Sequence, residues 1–195
     1  MILPDTSLDQ LFRTARTFNT YLDKPVGEDH FHAIWELMKM GPTSMNGLPA
    51  RLVWCASEAS KDKLAALASG SNAGKIRKAP VCVIIAMDVD FHEQLPDLFP
   101  HFPDAKTLFA DRAAREVMAL RNSSLQGAYF IMAARALGLA TGPMSGFDNA
   151  GVDAAFFADT PHVKSNFIAT LGYGDPASLR PRSPRPEFGK FNRID

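Results

Sequence analysis

The spacing of apolar and polar positions divides the chain into helices, strands and the turns between them. Leu8, Leu11, Phe12 and Ala15 share one face behind Ser7, which predicts a short helix capped by Ser7 and ending near Arg16 and Thr17. Phe31, Ile34, Trp35 and Met38 form the stripe of a second helix over 28–39, stopped by Gly41-Pro42. A polar loop follows, then a strand over 51–56 and a helix over 58–68 capped by Ser57. Residues 69–78 are small, polar and basic, and read as a loop or a helix start. Val81 to Met87 is nearly all apolar, the pattern of a strand buried on both faces. Pro96, Pro100 and Pro103 make 91–104 an irregular excursion. Alanine-rich sequence over 113–137 predicts one long helix with Gly138 as its stop. Leu120, Ser124, Gly127 and Ala128 along it would allow close packing against a neighbour. Residues 141–147 read as a glycine-proline loop, Asp148 as the cap of a short helix to Phe157, and 166–172 as the last strand.

Helices and strands mix throughout, with no internal repeat and no linker long enough to divide domains. The expected class is α+β, one domain over 1–195, with 175–195 a proline-rich basic extension that cannot build a core of its own. At 195 residues and 46% apolar content, the chain can bury a substantial core and is not a disordered sequence. Its 21 basic and 21 acidic residues balance, which argues against non-specific attraction to nucleic acid or anionic lipid. The first residues, Met1 to Asp5, show no basic region and no signal-type apolar stretch, and the longest apolar run, 79–87, is about half a membrane span. Two cysteines, Cys55 and Cys82, sit in apolar runs, which suits a reducing, cytoplasmic setting.

Conventional catalytic sets do not form. His30 and His32 lie two apart on a helix and face different ways, while His92, His101 and His162 are scattered without carboxylates or cysteines at ligand spacing, so no metal is expected. Ser145-Gly146 lacks nucleophile-elbow spacing, and neither the Rossmann nor the P-loop glycine pattern occurs. Five stretches remain: Arg16-Thr17-Phe18-Asn19, Gly41-Pro42-Thr43-Ser44-Met45-Asn46, Asn72-Ala73-Gly74-Lys75, Thr141 to Phe147, and Arg182-Ser183-Pro184-Arg185. Each alone has an ordinary reading as a helix end, turn, loop or solvated tail.

Taken together, in this order and spacing, the five resemble the nitroreductase superfamily of FMN-dependent oxidoreductases. The likeness covers essentially the whole chain. Arg121 to Ser124, Gly142 to Asp148, Leu98 to His101, Lys164 to Asn166 and Gly172 to Asp175 are most similar to the branch that includes malonic semialdehyde reductases of pyrimidine breakdown. The resemblance implies a mostly antiparallel sheet flanked by helices, in an intertwined homodimer with FMN between subunits and the 175–195 extension contacting the partner. It implies that Arg16, Thr17 and Asn19 hold phosphate and ribityl oxygens, with Arg182 and Arg185 adding the charge that Asn19 lacks where relatives carry a basic residue. A guanidinium suits this role through its paired, charge-assisted hydrogen bonds.

By the same resemblance, Pro42, Thr43, Ser44 and Asn46 form a loop supplied by the second subunit. Asn72 and Lys75 face the pyrimidine edge of the flavin, where a cation stabilises the reduced ring's anion. Pro143, Met144, Ser145 and Gly146 pack on the ring, with Ser145 standing where many relatives have glutamate. The implied activity is ping-pong hydride transfer through flavin N5, from NADH or NADPH to a nitroaromatic, a quinone or a small aldehyde such as malonic semialdehyde. No side chain need serve as catalytic acid or base. Phe99, Phe102 and Phe109 of the 91–110 excursion are candidates for the acceptor side. Arg121 is a candidate cation for a carboxylated acceptor, set against the favoured reading of a structural ion pair. The rival function is a non-enzymatic dimer that binds a phosphorylated ligand or RNA through the basic tail.

Overall fold

The computed structural model describes residues 2–195; Met1, part of the N-terminal stretch read above, lies outside the described residues. Four strands form one antiparallel sheet: β1 (Ala50–Cys55), β2 (Val81–Asp88), β3 (Ala140–Met144) and β4 (Val163–Gly172), in the order β1-β2-β4-β3. The fold is α+β, and the mostly antiparallel sheet that the resemblance implies is present. β2 explains why the fold closes here. Its Cys82, Ile84 and Ala86 enter one core and its Val81, Val83 and Ile85 the other, so period-two geometry serves both faces with a continuous apolar run.

On one face, α3 (Glu58–Ala65), α4 (Asn72–Lys78) and α7 (Asn149–Phe156) contribute Leu64, Ile76 and Val152. On the other, α2 (Glu28–Met38) and the 25-residue α6 (Arg112–Ala136) contribute Ile34, Met38, Phe130 and Ala134. Ser57, Asp111 and Asp148 accept main-chain N–H bonds at the starts of α3, α6 and α7. A third core lies beneath the 91–110 excursion, which is built of short helical turns including α5 (Leu95–Leu98). Phe109 belongs to that core, edge-on to Phe91 at 5.2 Å, whereas Phe102 is exposed.

Several boundaries differ from the sequence reading. The first helix, α1 (Asp5–Leu8), starts after Pro4 with Ser7 inside it, and continues as a π-type turn over Asp9–Arg13. Arg13 ties this turn to Asp5 and Asp9, and the chain leaves the helix three residues before Arg16. Residues 72–78 are helical. The expected loop at 141–147 is largely strand: β3 is a sheet edge, where Pro143 needs no partner for a missing N–H. Gly142 is required there, because a Cβ would lie 2.4 Å from Thr170 Oγ1 and 3.0 Å from the Phe18 carbonyl. Gly127 of α6 packs inward, where a Cβ would lie 2.4 Å from the Phe167 ring, rather than toward a neighbouring molecule. Ser124 Oγ is engaged within the fold by Leu120 O and Asn166 Nδ2.

Candidate functional site

The end of the N-terminal helix and the C-terminal extension meet. Tyr21 bridges to Gly174, Leu22 N–H donates to Tyr173 O and Asp175 N–H to Thr20 O, so two segments far apart in sequence run side by side. Beyond them opens a cavity of about 420 Å³ whose lining includes Arg16, Thr17, Asn19, Arg135, Arg182 and Arg185, together with Phe12 and Arg180. The guanidiniums are oriented by main-chain carbonyls. Arg16 Nη2 donates to Arg180 O at 2.5 Å, Arg182 Nη2 to Arg13 O and Ala15 O at 2.9 Å each, and Arg135 Nη1 to Leu11 O at 2.8 Å.

Among the described residues, none of these arginines has a carboxylate partner. Burial first, and then the Arg182 guanidinium, draw the Arg135 guanidinium below its usual range. Like charges gathered without a counterion repel, and an anion in the cavity relieves that repulsion. Sequence reasoning missed Arg135. The signal present was a basic residue in the last turn before the Gly138 stop, which ordinarily reads as a response to the helix dipole.

Edge strand β3 connects this cradle to a second group. Its first residue, Ala140, lines a neighbouring cavity with Arg16, Arg135 and Gly174. Past its other end, Gly146 O accepts from Asn72 Nδ2 at 3.1 Å and from Ser69 N–H at 2.9 Å, and Ala68 bridges to Phe147. A Cβ on Gly146 would lie 2.7 Å from Asn72 Nδ2, so a side chain there would push the Asn72 amide aside. Pro143 and Ser145 are exposed and Met144 half-buried beside them. Lys75, one helical turn beyond Asn72, is half-buried, and its ammonium makes no hydrogen bond or ion pair among the described residues.

The Pro42–Asn46 loop stands apart from both groups and docks on α6. Tyr129 O–H donates to Pro42 O, Ser44 N–H donates to Asn122 Oδ1, and Leu48 N–H donates to Thr43 Oγ1. Asn46 Nδ2 donates to Leu98 O of the excursion. No hydrogen bond joins this loop to the arginine cradle or to Asn72 among the described residues. Arg121 is exposed on α6 and has no ion pair among the described residues, contrary to the structural pairing favoured from sequence. No group of three or more histidine, cysteine, aspartate or glutamate side chains that could hold a metal occurs among the described residues.

The sequence and the fold have known counterparts. The sequence profile described as "Nitroreductase family" matches residues 13–173. A protein from Caulobacter sp. (strain K31), named "Putative NADH dehydrogenase/NAD(P)H nitroreductase", is 56% identical over 192 residues, covering 98% of each chain. A solved structure of a "putative nitroreductase" from Bacillus subtilis superposes with a TM-score of 0.89 at 20% identity, covering 98% of this chain and 100% of its own. Another, from Exiguobacterium sibiricum in complex with FMN, gives 0.87 at 18% identity over 100% of this chain and 99% of its own. The profile covers most of the chain and the Caulobacter relative nearly all of it, and the chain therefore belongs to the nitroreductase family.

Proposed function

We propose that the protein is an FMN-dependent NAD(P)H oxidoreductase that works as a homodimer. The observation that carries this reading is the cradle of unpaired guanidiniums at one end of edge strand β3, with Asn72 and Lys75 at the other. The cradle fits a phosphate dianion, because rigid paired donors face a space with no competing carboxylate. When bound, FMN supplies two-electron chemistry, accepting hydride from a reduced nicotinamide and yielding it to an acceptor. Arg16, Arg182 and Arg185, with Arg135, hold the phosphate; Thr17 and Asn19 add polar donors. The Lys75 ammonium offsets negative charge at the ring edge, and the main chain of 143–146 supports the ring.

Pro42, Thr43, Ser44 and Asn46 meet the cofactor from the partner subunit, which accounts for their separation from the cradle within one chain. Large exposed apolar side chains, among them Val117, Leu120 and Leu125 on α6 and Phe188, Phe191 and Ile194 in the extension, favour burial against a second copy. The acceptor is an electron-poor small molecule: a quinone, a nitroaromatic, or a small aldehyde of the malonic semialdehyde type. A carboxylated aldehyde gains from a free cation, and Arg121 has no partner among the described residues. No helix among the described residues is long and apolar enough to cross a membrane, and the unpaired cysteines suit the cytoplasm.

The test is spectroscopic. Purified protein mixed with FMN retains the flavin, and NADH or NADPH bleaches its blue absorbance under anaerobic conditions; quinone, nitroaromatic or aldehyde then restores it. Tight flavin-free protein that fails to take up FMN, while binding phosphorylated ligands or RNA through its tail, would overturn the proposal in favour of a binding module.

A further inference from the structure

We infer that Asn122, Gln126 and Tyr129 of α6 are positioning residues that hold the Pro42–Asn46 loop in its ligand-ready shape. The inference rests on the reading of that loop as a flavin contact. The three side chains lie at i, i+4 and i+7, one face of the helix, and each takes a main-chain group of the same loop or of the strand it enters. Tyr129 O–H donates to Pro42 O, Asn122 Oδ1 accepts from Ser44 N–H, and Gln126 Oε1 accepts from Ala50 N–H, all at 2.8 Å.

A face packed against a sheet ordinarily carries apolar residues, yet Asn122 and Gln126 are 4% and 0% exposed. Gln126 even leaves its Nε2 without a partner among the described residues, a cost accepted for the sake of its other oxygen contact. The loop needs such holding. Met45, Asn46 and Leu48 adopt φ values of 53°, 51° and 38°, a left-handed conformation that non-glycine residues avoid.

The selection of atoms is informative. The helix takes main-chain groups only. Ser44 Oγ makes no hydrogen bond among the described residues, and Thr43 Oγ1 accepts from Leu48 N–H while its own proton has no acceptor assigned. Fixing the main chain thus leaves the hydroxyl of exposed Ser44 without a partner among the described residues and the Thr43 hydroxyl with a proton still to donate, on a backbone of set geometry, the condition for low-cost binding of a polyol or ring-edge carbonyl. Asn46, tied to Leu98 O, keeps its amide oxygen for the same purpose.

The experiment compares Tyr129→Phe, Asn122→Ala and Arg16→Ala in the full-length protein. Tyr129→Phe keeps the ring packed on Gly41, where a Cβ would lie 2.1 Å from the ring, and removes only the hydroxyl. Amide exchange is read by mass spectrometry at saturating FMN, and affinities for FMN and riboflavin by flavin fluorescence. Tyr129→Phe is expected to speed exchange over 43–48 about fivefold, leave β2 unchanged, and weaken FMN and riboflavin equally, by about fivefold. Asn122→Ala does the same to a larger extent, and Asn122→Asp, which keeps an acceptor for Ser44, restores slow exchange. Arg16→Ala weakens FMN far more than riboflavin and leaves exchange over 43–48 unchanged. Unaltered exchange over 43–48 in Tyr129→Phe, or faster exchange with unaltered flavin affinity, would overturn the inference; should Asn122→Ala not fold, Tyr129→Phe decides alone. Failure of the parent protein to bind either flavin would instead overturn the proposed function, and is told apart because exchange reads the loop directly.

Discussion

At the level of single residues, the polar groups divide into those the fold satisfies and those it leaves for a ligand. Cys55 and Cys82 face each other across β1 and β2 and are fully buried. Desolvation pushes their thiols up to about 11 and about 12. The unfolded chain would ionise both thiols near the usual value of about 8.5, while the folded chain retains their protons. Their contribution to stability is therefore complete at neutral pH and declines as pH rises from about 9 toward 12. Native protein at pH 8 should resist iodoacetamide and label fully once unfolded in guanidinium; rapid native labelling would contradict the burial. The arginines behave in the opposite way, since their open valences face a cavity. Arg16→Ala and Arg182→Ala should each reduce FMN binding by about 1.5–3 kcal/mol, with a smaller loss for riboflavin. Titration calorimetry with both ligands checks this, and equal losses would mean that the guanidiniums hold something other than phosphate.

At the level of elements, Gly174 shows how closely the N-terminal segment and the extension are fitted. A Cβ there would lie 2.5 Å from Phe18 Cγ, at the base of the ring where rotation cannot clear it. Gly174→Ala should cost about 1–3 kcal/mol of stability by overpacking and, by moving Phe18, loosen Thr17 and Asn19 on either side. Thermal unfolding and FMN affinity should fall together. Sequence patterns revealed β2 because its apolar run is continuous, α6 because its stretch is long, alanine-rich and free of proline, and the caps Ser57 and Asp148 because their side chains bond locally. They concealed β3, since glycine and proline signal a loop unless the strand is known to lie at a sheet edge. The unusual polarity of Asn122, Ser123 and Ser124 was visible too. Its meaning was not, because Asn122 answers a loop 78 residues away and Ser123 and Ser124 meet Asn166 of β4. The resemblance pointed to Arg16, Arg182 and Arg185, which the fold brings to one cavity; Arg135 joins them only through the fold.

At the level of the whole molecule, one chain holds the cradle and the 42–46 loop on separate regions, so dimerisation and flavin retention should be inseparable. Leu125→Asp, which places a charge at an exposed apolar position of α6, should shift sedimentation to the monomer and release FMN in parallel. A monomer with stoichiometric, tight FMN would contradict this. The balanced total charge also hides an internal polarity. Residues 176–195 carry five basic side chains, Arg180, Arg182, Arg185, Lys190 and Arg193, against only Glu187 and Asp195, so the remainder of the chain is acidic in excess. Three of those basic residues, Arg180, Arg182 and Arg185, line the cavity together with Arg16 and Arg135, so a positive field is concentrated there. Such a field acts over roughly a Debye length, about 8–10 Å at ordinary ionic strength, before any contact forms. It guides anions by drift rather than by grip, so the speed of flavin capture should fall with added salt for FMN and stay nearly level for uncharged riboflavin.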